Sequence, residues 1–133
     1  MELTTTTTTG SSRARSISFW LATGIIALET GAGAEWDLVR NPFVCNIFNH
    51  LGYPLYLLTI IGIWKVLAFI ALLIPGFTRL KEWAYAGLFF VYTGAAASHI
   101  AAGDAVSAWA GPAVFGAITL VSWYLRAASR RLA

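Results

Sequence analysis

The chain has 133 residues, 58% of them hydrophobic and only 11% charged. A soluble domain usually carries about 25% charged residues, and one of this length cannot hide so much apolar surface. The composition therefore argues against a soluble enzyme, a disordered chain and a nucleic-acid-binding module. Whether the net charge of +3 signals a nucleic-acid partner depends on where the basic residues lie. Cys45 stands alone. It excludes an intrachain disulfide, a CxxC pair and a Cys-based metal cluster, and it reads as a small apolar filler.

Residues 1–16 are polar and hold six consecutive threonines, Thr4 to Thr9. Such a run has nothing to bury and is expected to form a disordered tail. Four apolar stretches follow, at about 17–36, 53–74, 83–102 and 108–125. Each approaches the roughly 20 residues that a helix needs to cross a bilayer core of about 30 Å. Strand-like alternation is absent, so the chain is expected to form an all-α, four-helix transmembrane bundle within 17–126, followed by a basic tail at 127–133. Pro54 and Pro112 are expected in the first turns of the second and fourth helices, where a missing N–H is harmless.

With four crossings, Arg13, Arg15, Arg79, Lys81, Arg126, Arg130 and Arg131 all fall on one side. Only Arg40 falls on the other, with Glu35, Asp37 and Asp104. This asymmetry places both termini in the cytoplasm and explains the basic excess without nucleic acid. Aromatic residues flank both ends of the stretches, except Trp64, which lies mid-span beside Lys65. Arg13 and Arg15 ahead of an apolar run imitate a signal peptide, but Glu29 inside that run argues against cleavage.

Asn41-Pro42 is a helix-start signal, and Phe43, Val44, Ile47, Phe48 and Leu51 share one face. A short amphipathic helix ending at Gly52 is expected in the outer loop between helices one and two. It either lids a cavity or covers helix ends.

Glu29, Lys65 and His99 are the informative ionisable positions within the stretches. A charge near mid-membrane costs about 2.5–3.5 kcal/mol on insertion scales, so such groups face the interior and find partners. A Glu29–Lys65 ion pair with His99 hydrogen-bonded nearby is the simplest arrangement. Small neighbours such as Gly33, Gly62, Ala95 and Ala96 allow the helices to approach closely. The cluster is either a structural staple or a functional pocket. In the second case Glu29, Lys65 and His99 are the candidate catalytic residues. Trp64, His50, Tyr53 and Tyr92 are then candidate ligand contacts. Asp104 reads as a cap for the turn after helix three. No phosphate loop, HExxH, nucleophile elbow or haem motif is present, and the two histidines lack metal-ligand spacing.

Ala27-Leu28-Glu29, His50-Leu51-Gly52-Tyr53-Pro54, Trp64-Lys65, 81–87 and Gly94-Ala95-Ala96-Ala97-Ser98-His99 form an ordered set. Over about residues 17–125 this set resembles the DoxX-like family of small bacterial membrane proteins. The resemblance implies a four-helix bundle in the bacterial cytoplasmic membrane and an association with membrane redox systems, including quinone reduction. Three functions stay open. One is a quinone- or lipid-like ligand site whose titratable groups exchange protons with the ligand head, the electrons coming from a partner subunit. Another is a cofactor-independent isomerase or lyase acting on an apolar substrate. The last is a non-catalytic assembly subunit. The small-residue faces leave room for self-association.

Overall fold

The computed structural model describes residues 2–126, with side chains from residue 12 onward. It contains α1 (Glu2–Leu38), α2 (Pro42–Leu51), α3 (Tyr56–Leu73), α4 (Thr78–Ala101) and α5 (Val106–Tyr124). No strand occurs among the described residues. α1 runs back to Glu2, through the stretch that composition assigns to a polar tail. The basic tail at 127–133 lies outside the described residues.

Local chemistry sets the boundaries. Asn41 Oδ1 accepts from the Phe43 amide at 2.9 Å, and Pro42 occupies the first helical position of α2. Gly52 closes that helix in the left-handed region, with φ of 81°, which only glycine adopts freely. Pro54 lies ahead of α3, and its carbonyl accepts from the Leu57 amide at 3.1 Å. Pro112 departs from expectation. α5 begins at Val106, so Pro112 sits in its second turn and is interior to the helix. The Ala108 carbonyl thereby loses its usual donor, which a helix packed among neighbours tolerates.

The four long helices pack as a ring in which α1 touches α3 and α5, and α4 touches α3 and α5. α1 and α4 therefore face each other across the axis. Neighbours run antiparallel: Gly31 meets Phe69 and Gly62 meets Leu38 across α1–α3, and Gly116 meets Thr93 across α4–α5. α1 and α4 are thus parallel. Ile26, Leu72, Tyr85, Leu88 and Tyr92 form the central cluster.

The polarity of this bundle is inverted relative to a soluble protein. Its largest fully buried side chains include Lys81, Thr23, Thr30, Thr119 and Ser122. Leu28, Trp83 and Phe90 are each about 70% exposed or more, with many other large apolar residues also outward. Soluble proteins do not expose so much contiguous apolar surface, whereas lipid is a suitable solvent for it. Among the described residues, three helical segments are long and apolar enough to cross a membrane: Ser12–Leu38, Tyr56–Leu73 and Val106–Tyr124. The four equal spans expected from sequence are not reproduced by that criterion. α4 has 24 residues, but Arg79, Lys81, Glu82 and His99 make it more polar.

Close helix approach is concentrated at Gly62, where an added Cβ would lie 2.8 Å from the Leu38 side chain and 3.2 Å from Asp37 Cβ. Gly94 meets nothing within 4 Å. Gly62→Leu is expected to destabilise the detergent-solubilised protein by about 1–3 kcal/mol through overpacking. Gly94→Ala is expected to be neutral or slightly stabilising. Thermal unfolding followed by circular dichroism compares the two.

Candidate functional site

Lys65 lies midway along α3, and its ammonium is 2.8 Å from Asp37 Oδ2 in a nearly buried ion pair. The sequence-based expectation of a Glu29–Lys65 pair is corrected in its partner. The long lysine stem extends toward the α2 end, where Asp37 lies level with Gly62. Glu29 is half-buried and stays near: the Cβ position at Gly33 is 3.0 Å from Lys65 Nζ and 3.7 Å from Glu29 Oε1. A side chain at residue 33 would fill this space, so the glycine keeps it open for the ammonium.

Polar groups also line the bundle axis at a spacing of seven residues. On α1 they are Thr23, Thr30 and Asp37; on α4 they are Tyr85, Tyr92 and His99. All six are buried. Seven residues make nearly two turns, so each set occupies one helix face. Ser122 Oγ joins the first rung, 2.6 Å from Thr23 Oγ1 and 2.8 Å from the Tyr85 hydroxyl. The second rung is Thr30 Oγ1 to the Tyr92 hydroxyl at 3.1 Å. Ile26 and Leu88, both buried, lie between these rungs and separate them with apolar side chains.

His99 does not hydrogen-bond to the Glu29–Lys65 region as expected. Its Nδ1 is 2.7 Å from Asp104 Oδ2, and Asp104 Oδ1 is 2.7 Å from His50 Nε2. One carboxylate thus bridges α2, the last turn of α4 and the α4–α5 connection. The fold explains the exchange of partners. The Asp104 amide donates to the His99 carbonyl, and Gly103 turns the chain with φ of 78°, which brings the carboxylate back over the ring. Hydrogen bonds from His99 and then His50 hold the Asp104 carboxyl below the usual carboxylate range. Beside it the Tyr53 hydroxyl is 2.7 Å from Ser98 Oγ.

A cavity of about 360 Å³ opens between α3 and α4. Ala68, Ala71, Ala84 and Gly87 form its small-residue walls, with Trp64, Leu80 and Trp83 as bulky neighbours and Lys65 as the ionisable group. From Ile61 to Ala71 it follows α3 for about 15 Å at about 1.5 Å per residue. A second, smaller groove between α4 and α5 holds Glu82, Thr119 and Trp123. Glu82 there is hydrogen-bonded by Arg126 and by Trp123 Nε1.

Of the residues singled out from sequence, Lys65 and Trp64 line the larger cavity. Glu29 lies beside Lys65 but does not line the cavity. His99 and His50 are gathered at the α2 end, where Asp104 bridges them as more than a cap. Tyr53 neighbours this cluster through Ser98, and Tyr92 is tied to Thr30 in the core. Asp37 was missed as a site residue because it follows Glu35 and Trp36 at the end of an apolar run and reads as part of a loop. Its seven-residue spacing from Thr30 was the available signal.

Lys65→Met would strand two carboxylates, Asp37 and Glu29, whereas Asp37→Asn leaves Glu29 to face the ammonium. Breaking a buried pair costs about 3–5 kcal/mol. Lys65→Met is therefore expected at the upper part of this range and Asp37→Asn below it, with the double variant costing less than the sum. Unfolding free energies in one detergent measure all three. The depressed Asp104 carboxyl contributes stability above its unfolded value near pH 4, lost as pH falls through the lower folded value. Asp104→Asn is expected to remove this acid-side loss from a melting-temperature profile.

Comparison with curated proteins and with solved structures returns no match. A profile of the DoxX-like family matches residues 21–122, which takes in the bundle from the middle of α1 to the last turns of α5. With apolar residues outward, polar residues inward and helices long enough to span, the chain is a helical membrane protein that belongs to the DoxX-like family.

Proposed function

We propose that the chain crosses the bacterial cytoplasmic membrane four times, with both termini inside, and binds a quinone- or lipid-like molecule in the α3–α4 groove. The carrying observation is the groove itself: a cavity of about 360 Å³, apolar along its length, with one ammonium in its lining. Ligand pockets of about 300–1,000 Å³ with few polar groups are the usual form for small-molecule sites. An isoprenoid or acyl chain suits the small-residue walls, and a carbonyl or hydroxyl head suits Lys65.

Two features support the topology. α4 packs antiparallel to both α3 and α5, and its charged residues and His99 lie at its ends, leaving an uncharged middle. Arg13, Arg15, Arg79, Lys81 and Arg126 lie at one end of the bundle, with Glu35, Asp37 and Asp104 at the other. A role in a membrane redox system follows if the bound head exchanges protons with Lys65 while a partner subunit handles electrons. Quinone reduction takes up two protons, which gives a titratable group in an apolar groove its purpose.

Decylubiquinone is the probe. It is expected to quench tryptophan fluorescence saturably, with Trp64→Phe reducing the amplitude. Gly87 lines the groove and has open space around its Cβ position. Gly87→Leu is therefore expected to keep the fold, fill the groove and weaken binding about tenfold or more, a loss of about 1.4 kcal/mol or more. Absence of saturable quenching, with no quinone or phospholipid in an extract of the purified protein, would overturn the ligand-site reading. Binding indifferent to Gly87→Leu would do the same.

A further inference from the structure

The His50–Asp104–His99 cluster lies outside the groove, yet its geometry leads toward it. We propose that His50, Asp104, His99 and Asp37 form a proton path from the aqueous surface at the α2 end to Lys65 at the groove. Its destination rests on the groove reading above; its existence does not.

Burial increases along the path. The His50 side chain is 55% exposed, Asp104 17% and His99 11%. The Asp104 carboxylate uses one oxygen for each ring, at 2.7 Å on both sides. Helix register supplies the next step. Thr30 and Tyr92 are hydrogen-bonded across the axis at 3.1 Å, and α1 and α4 run parallel. Seven residues further along each helix, Asp37 and His99 are the next polar residues on the faces that carry Thr30 and Tyr92, both buried; no hydrogen bond joins them, and this step of the path is given by helix register alone. Asp37 is then 2.8 Å from Lys65 Nζ, and Lys65 lines the groove. Chains of Asp, Glu and His are the usual means of moving protons inside membrane proteins.

The other ionisable groups around this end are few. α1 adds Glu29, near Lys65, and exposed Glu35. Arg40 donates to Thr59 Oγ1, Tyr53 is held by Ser98, and α5 brings no charged side chain. A latch fastening α2 to α4 accounts for both hydrogen bonds of Asp104, so the path is distinguished from it by proton exchange and not by these contacts.

The transfer balances. After Lys65 gives a proton to the bound head, the Asp37 carboxylate accepts a proton from the His99 ring and passes it to Lys65. The Asp104 carboxylate relays in the same way from His50 to His99, and His50 takes its proton from water. One proton enters, one leaves, and no electron moves.

The test uses the full chain labelled with ring-15N histidine in detergent micelles, without ligand. The surface variant His50→Gln is expected to slow exchange of the His99 ring N–H with solvent about tenfold, because proton entry is removed. Asp37→Asn and Lys65→Met are each expected to change the His99 ring 15N chemical shifts, since both alter the groups to which His99 would pass its proton. Unchanged exchange in His50→Gln would overturn the path. So would His99 ring 15N shifts indifferent to both Asp37→Asn and Lys65→Met, which would leave a latch. Because no ligand is present, failure of decylubiquinone to bind removes the groove reading and leaves these outcomes intact.

Discussion

A bundle whose outer surface faces lipid must satisfy its polar side chains from within, and here that requirement falls on one column along the axis. Thr30 meets Tyr92 directly and Thr23 meets Tyr85 through Ser122, while Asp37 and His99, next on the same two faces, take their partners from α3 and the α4–α5 connection. Unpartnered polar groups in hydrocarbon cost several kcal/mol each, so the register of α1 against α4 is set by where these groups meet. Thr119 and Thr93 donate instead to carbonyls one turn back in their own helices. Among the described residues, no buried side-chain nitrogen or oxygen lacks a hydrogen-bond partner.

The groove follows from the same packing. α1 and α3 close tightly because Gly31, Gly33 and Gly62 each admit a neighbour's side chain. α3 and α4 present alanines and Gly87 to each other, while Trp64 and Trp83 remain largely exposed. Small walls and bulky residues directed outward leave a slot where a uniform set of leucines would have filled it. The slot and the Asp37–Lys65 pair share one residue. That lysine is the only point where the polar interior reaches the apolar groove among the residues lining it.

Much of the fold was legible because its signals are local. Asn41, Pro42 and Gly52 delimit α2 by capping chemistry that acts within a few residues. The long helices are announced by apolar length. The site was legible only in part. Lys65 and His99 stand out as ionisable residues in apolar runs, but their partners do not. Asp37 and Asp104 sit at helix ends, where a carboxylate ordinarily meets water. Only the opposing helices show that one is buried and the other bridges two rings. The groove was illegible for a further reason: it depends on the separation of two helices, and neither sequence segment encodes that distance by itself.

The two lysines of the bundle show why position alone does not identify a site. Lys81 is more deeply buried than Lys65. It lies in the first turn of α4 and donates to the Ala71 and Ile74 carbonyls, which the end of α3 leaves without helical donors. Its charge compensates the negative end of the α3 dipole, a fixed structural task. Lys65 has no such backbone claim. Its ammonium pairs with a carboxylate on another helix, with a second carboxylate nearby, and it lines an apolar groove. Transfer of a proton to or from a lysine at a helix end would undo the cap that orders the chain. A change in charge at Lys65 is felt first by Asp37 and Glu29 and not by the carbonyls that end a helix. Under the proposed groove reading, proton exchange is therefore assigned to Lys65, while Lys81 holds the scaffold around it.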